Sequence, residues 1–329
     1  MTRHALAAAL AAIMIGTAPG LALAADNDDV ATQIVDALNK RYGSHAGYRA
    51  NHAKGIVVEG SFKASPEAAS VSRSPLFTGT TLSVTVRFSD AGGMPEVADN
   101  APTANPHGMS MKFHLPDGGE SDIVVNALKF FTVATPEDFR DLQLAAAASP
   151  PGSPQPTKLQ EFFKSHPSVE KANATLGIPD SFADEIYYGV DAFIFTDKAG
   201  KKQPFRYIIQ PAQVVHLSKE DAAKQQPNYL VEELPTRLQK GPAIFHIKAQ
   251  LAAPGDQTKD PTQPWPDDRK VVDLGVLTID KVVPDSADAQ KQLLFLPGNL
   301  TDGIEPSDDP LIAARDSSYA VSFGRRSGN

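Results

Sequence analysis

An arginine, a histidine and a lysine fall close together in YRANHAKG, residues 48–55, with no acid among them. Such a stretch is either a solvated loop or a place where an anion is bound and a proton is moved beside it. His52 suits the second use, because imidazole is the natural general acid/base near neutral pH, and Arg49 lies just upstream. The next long segment, TTLSVTVRFS at 80–89, sets Leu82, Val84, Val86 and Phe88 on one face. Thr81, Ser83, Thr85, Arg87 and Ser89 take the other. If that polar face meets water, Arg87 is a surface residue; if it is enclosed, the guanidinium needs an anion. A third group lies in SDDPLIAARDSSY, 307–319, where Ser307 is a good N-cap and Pro310 falls in the first turn. On the helix that follows, Arg315 and Tyr319 are four apart and share a face. An arginine against the phenol oxygen favours the phenolate, which is a strong ligand for ferric iron. The alternative is an exposed pair that contributes a few tenths of a kcal/mol.

Several long strands must position these groups. Residues 26–42 have the pattern of a helix, with Ile34, Leu38 and Tyr42 on one face. Strands are expected at 55–63, 80–89, 109–115, 122–125, 189–196, 204–210, 243–250 and 271–280. Helices are expected at 136–147, 157–164, 180–186, 219–224, 228–239 and 307–319. Strands in succession with short helices between them predict an α+β chain built on an antiparallel β-barrel rather than a doubly wound sheet. AAAASPPGSPQPTK, 145–158, is expected to be a long surface loop within a single domain covering 25–329.

Composition narrows the classes. The N-terminal MTRHALAAALAAIMIGTAPGLALA has a basic start, an apolar run and a small-x-small end, so residues 1–24 are expected to be a signal peptide and the protein to be periplasmic. No membrane span is expected in the mature chain. There is no cysteine, which excludes a thiolate nucleophile or ligand. The formal charge of −8 argues against a nucleic-acid partner.

Order and company sharpen the reading. RANHAKG (49–55), VRFSDAGG (86–93), ANPHGMSMKFHLPDGGESDIVVNALKFF (104–131) and LLFLPGNLTDGIEPSDDPLIAARDSSY (293–319) occur in that sequence. Between them lie FRYIIQPAQVVHLSKEDA (205–222) and WPDDRKVVDLGVLTIDK (265–281). This ordered set resembles the haem catalase superfamily, and most of all its short members, the catalase-related peroxidases, over residues 35–326. The resemblance implies the catalase barrel without the C-terminal helical domain of full catalases, and haem b as cofactor. It implies His52 as the group that moves the peroxide proton, Ser89 as its hydrogen-bond partner and Asn126 as a donor to peroxide, leaving a ferryl haem. It implies Tyr319 as the iron ligand kept ionised by Arg315. Arg49, Arg87 and Arg326 would hold the haem propionates, and Phe139 would stack on the porphyrin.

Three departures bear on function. Asn51 stands where the family carries a valine before the histidine, which would make the distal channel more polar. Anchoring on D-x-V places Asn126 at the distal asparagine, whereas anchoring on Phe130-Phe131 places Val125 there; an amide has a mechanistic use, which favours Asn126. The chain also ends soon after Tyr319. A more open site should admit organic donors, so the expectation is a peroxidase reducing hydrogen peroxide or organic hydroperoxides with a small organic electron donor, as a monomer or dimer. The competing readings are a true catalase, a fatty-acid hydroperoxide isomerase, and a non-enzymatic barrel that carries haem or another ligand.

Overall fold

The computed structural model describes residues 20–328, so residues 1–19 of the expected signal peptide lie outside it. The elements begin with α1 (Gly20–Tyr42), β1 (Gly55–Ala64), α2 (Ala68–Val71), β2 (Leu82–Ser89), β3 (Gly108–His114) and β4 (Glu120–Asn126). Then come α3 (Pro136–Ala147), α4 (Lys158–Ser165), α5 (Ser168–Asn173), β5 (Tyr187–Tyr188), β6 (Phe193–Thr196) and β7 (Lys202–Pro211). The rest comprises α6 (Lys219–Ala222), α7 (Tyr229–Lys240), β8 (Ala243–Leu251), β9 (Val271–Val282), α8 (Ser286–Gln292), β10 (Ile304–Pro306) and α9 (Pro310–Ser327).

Neighbouring strands are antiparallel, and β7 pairs with β8 as well as with β5. The ring β1-β2-β3-β4-β5-β7-β8-β9 therefore returns to β1 and closes an eight-stranded barrel, in which no ring strand is left as an open edge. β6 pairs with the first half of β7, and β10 adds to β6. The inward face of β2 is the apolar set read from the sequence: Leu82, Val84, Val86 and Phe88 are at most 2 % exposed. They pack among Met109, Met111, Phe113, Tyr187 and Phe245 in one continuous core. Burying a side chain of this size stabilises the fold by about 1.5–3 kcal/mol.

The outward face of β2 changes along its length. Ser83 is exposed, but Arg87 and Ser89 are buried. The covering comes from α1, α3 and α9, which pack on one another outside the barrel. Arg41 Nη1 donates to Gln143 Oε1 at 2.7 Å and Arg325 pairs with Asp36 at 2.7 Å, which ties the three helices together.

Some local expectations need correction. Of the strand expected at 189–196 only 193–196 forms, as β6; the short β5 precedes it at 187–188, and Gly189 N–H donates to Tyr207 O at 2.9 Å between them. The helix expected at 180–186 is only a tight turn, Phe182–Asp184, capped by Ser181 and followed at once by β5. The ladder to β4 and β7 needs residues 187–188 extended, so the turn cannot continue. α5, α8 and β10 went unpredicted because they are too short to show a period. α9 starts on Asp309, whose side chain accepts from Leu311 N–H, and not on Ser307, which accepts from Asp309 N–H one step earlier. Among the described residues no helix is long and apolar enough to cross a membrane.

Candidate active site

A cavity of about 750 Å³ lies between the outer face of β2, β3 and β4 and the covering helices. All the expected site residues line it: Arg49, His52, Arg87, Ser89, Asn126, Phe139, Arg315, Tyr319 and Arg326. Residues that are hundreds of positions apart are brought there by barrel closure and by α9 crossing the barrel's flank.

One wall is built from strand register. Ser89 pairs with Gly108, and Gly108 pairs with Asn126, so the three sit side by side on the cavity face. Val125 points the other way and is 3 % exposed in the barrel core. Of the two, Asn126 is the one whose side chain shares the cavity face with Ser89. Asn126 Oδ1 accepts Leu128 N–H at 2.8 Å, which turns the amide N–H₂ toward the cavity. His52 has a left-handed backbone, φ 55°, an uncommon state for a residue with a Cβ. Its ring lies across the strands, with Nδ1 3.1 Å from Ser89 Oγ. Asn51 also lines the cavity, but its Oδ1 is occupied by Gly92 N–H at 2.9 Å.

Gly108 makes room for the ring. A Cβ there would lie 3.0 Å from both His52 Cε1 and Ser89 Oγ and 3.1 Å from His52 Nδ1. Gly108→Ala is expected to push the imidazole off Ser89 and lower peroxide turnover roughly 10- to 100-fold, while the melting temperature stays close to the parent's. Steady-state kinetics beside a thermal melt check this; unchanged turnover would mean that the ring position is not critical.

Burial, followed by the charges of Arg87 and Arg315, lowers the His52 pKa to about 3. The ring is therefore neutral across the ordinary pH range and can accept a proton. The folded value lies below the unfolded one. The histidine's contribution to stability is thus full above about pH 6.5 and is lost as pH falls toward 3. The acid limb of turnover is expected to lie near the lower value, which a pH–rate profile reads directly.

Three guanidiniums crowd one edge. Arg49 and Arg326 both donate to Leu293 O, at 2.7 and 2.6 Å. Arg87 donates to Gln290 Oε1 at 2.9 Å and to His52 O at 2.8 Å. Among the described residues none of the three forms an ion pair, and Arg326 Nε is buried without a hydrogen bond. Burial depresses all three: Arg49 well below its usual value, with Arg87 and Arg326 adding repulsion, Arg87 to about 9 and Arg326 to about 10. Such a cluster calls for an anion at the cavity edge. Away from that edge Phe131 and Phe139, whose rings stack at 5.8 Å, join Leu142 in an apolar wall. An apolar planar group carrying carboxylates at one edge, which is what haem is, fits these residues.

A further wall is α9. Arg315 Nε donates to Tyr319 Oη at 3.1 Å, as the four-residue spacing predicts. Arg315 also pairs closely with Asp191. Burial works against the Arg315 charge, but Asp191 and Tyr319 outweigh it and raise its pKa. Behind them Asp309 is pushed up to about 8, first by burial and then by Asp191. Asp191→Asn would leave the buried Arg315 without its main counter-charge. It is expected to destabilise the fold by about 3 kcal/mol, measurable by denaturant titration.

Sequence reading missed Asp191, Gln290 and Gly108. Only Gly108 carried a signal, a glycine immediately before the strand expected at 109–115.

Residues 30–329 match the catalase family. The chain is 36% identical over 301 residues to the Catalase-related peroxidase of Mycolicibacterium paratuberculosis, covering 90% of this chain and 94% of that protein. It is 34% identical over 327 residues to the Catalase-related peroxidase of Synechococcus elongatus, covering 98% and 95%. Among solved structures, a fungal catalase superposes with a TM-score of 0.77 at 21% identity over 87% of this chain, which supports the fold. The chain spans 60% of the length of that catalase.

Proposed function

The chain belongs to the catalase family, and from this we propose that it is a haem-dependent peroxidase that reduces hydrogen peroxide or an organic hydroperoxide with a small organic electron donor. The observation that carries the reading is one cavity with His52, Ser89 and Asn126 on its strand wall and Tyr319 with Arg315 on its helix wall. Both relatives matched over nearly their full length bear the name Catalase-related peroxidase, which supports peroxidase chemistry.

Tyr319 Oη would ligate the iron of haem b, with the Arg315 guanidinium favouring the anionic oxygen. Arg49, Arg87 and Arg326 would hold the propionates, and Phe139 would pack on the ring. When bound there, haem supplies the redox centre that peroxide oxidises and the donor reduces. With Nδ1–H donating to Ser89 Oγ, His52 Nε2 presents its lone pair to the cavity. It takes the proton from one peroxide oxygen and delivers it to the other, so that water leaves. The Asn126 amide donates to peroxide and holds it beside the imidazole.

The phenol on the helix wall also suits some catalase activity. The expected signal peptide would place the enzyme in the periplasm, as a monomer or dimer. The experiment is a visible spectrum of the purified protein, with oxygen release and dye oxidation measured at equal peroxide. Donor oxidation well above oxygen release supports the peroxidase; the reverse ratio makes it a catalase; no haem signal and no turnover removes the enzyme reading.

A further inference from the structure

Ser89 and Gly108 pack against the His52 ring, and each has a buried ionisable neighbour beside it in the chain, Asp90 and His107. Both neighbours are fully buried, and neither lines the cavity. His107 Nε2 lies 3.4 Å from Asp90 Oδ1. Asp99 is their polar neighbour, its carboxyl beside Asp90 and its backbone beside the His107 ring, yet both carboxyl oxygens of Asp90 and both ring nitrogens of His107 lack a hydrogen bond of good geometry from the protein. Buried polar atoms are nearly always satisfied, and internal water with two to four polar partners is the usual means.

The pair is tied to the His52 loop. Asp90 N–H donates to Lys54 O at 3.1 Å, and Lys54 Nζ is 3.8 Å from Asp90 Oδ2. Lys54 also pairs closely with Asp99, whose other oxygen accepts Leu230 N–H at 2.7 Å. On the far side Tyr187 and Tyr229 face Asp90, and His216 adds to the lowering of His107. Burial, then Asp99, pushes Asp90 up to about 9 against Lys54 and Arg87. Burial lowers His107 to about 4. A carboxylic acid then faces a neutral imidazole.

We infer that Asp90 and His107 are positioning residues: a fully buried, water-bridged pair behind the barrel wall that fixes the segments carrying Ser89 and Gly108, and through them the His52 ring. This rests on reading His52 as the proton-transfer group. Neither Asp90 nor His107 lines the cavity, so their side chains act through the segments they hold, which include the Asp90 backbone beside the His52 ring.

The test uses the purified haem-loaded protein and the variants Asp90→Asn, Asp90→Leu and His107→Gln. The two polar variants can still bridge to water and should keep kcat within about threefold. Asp90→Leu should lower kcat roughly tenfold or more with KM little changed. Thermal melts give a second readout. Because the folded pKa of Asp90 is raised, the parent loses stability relative to Asp90→Asn as pH rises from about 4 toward 9. Asp90→Asn should therefore melt higher, by a margin that widens between those limits. The inference is overturned if Asp90→Leu turns over like the parent, if Asp90→Asn falls as far as Asp90→Leu, or if Asp90→Asn melts lower as pH rises. A parent that takes up no haem would defeat the proposed function instead, and the melts would still decide whether the pair is uncharged.

Discussion

Replacing His52 with alanine is expected to lower peroxide-dependent donor oxidation by roughly 10²- to 10⁴-fold while haem stays bound. The cofactor contacts proposed here come from Arg49, Arg87, Arg326 and Tyr319, none of which His52 holds through its ring. What is lost is a neutral imidazole, kept so by burial and three nearby guanidiniums, with Nδ1 anchored on Ser89 Oγ. No other imidazole lines the cavity among the described residues. The backbone at this position is left-handed, so alanine adds strain of its own. His52→Asn controls for that, because asparagine tolerates the conformation while lacking a proton acceptor of comparable basicity. Both variants should retain the parent's Soret band and lose turnover together. Full turnover in either would sink the proton-transfer role and favour a barrel that merely carries a ligand.

Tyr319→Phe is expected to act on the cofactor and not on the proton. The ring would keep its place on α9, and Arg315 would keep Asp191, so the helix should hold its position. Removing the phenol oxygen takes away the proposed iron ligand. Changes that only support a metal ligand typically reduce affinity 10- to 100-fold, so loss of the ligand itself should lower haem occupancy by at least about tenfold. Any haem retained through the arginine edge should lack a phenolate charge-transfer band. Haem-to-protein ratio and the visible spectrum report both effects. A variant that purifies with full haem and an unchanged spectrum would show that the iron is held by some other group.

These two residues differ in how they could be found. Arg315 and Tyr319 were legible as a pair, because a helix repeats every 3.6 residues and brings positions four apart together without help from the rest of the chain. The faces of β2 were legible for a similar reason, since strand alternation separated Phe88 from Arg87 and Ser89 before any neighbour was known. The helix at 136–147 was also read correctly; in the structure Thr135 caps it and Pro136 sits in its first turn. The choice between Asn126 and Val125 had no such local answer. It depended on which face of β4 turns outward, and that follows from its register with β3.

Taken alone, the sequence determined the inward and outward faces of the strands, the spacing on α9, and the ordered set of motifs that resembles one family. These are short-range properties, carried by a few successive bonds and by residue type. Tertiary structure alone decided that His52 rests on Gly108 between Ser89 and Asn126, that three arginines share one edge without an acid, and that Asp191 stands behind Arg315. Each of those contacts joins segments tens to hundreds of residues apart. They exist only because the barrel closes and α9 crosses its flank, which no local pattern encodes.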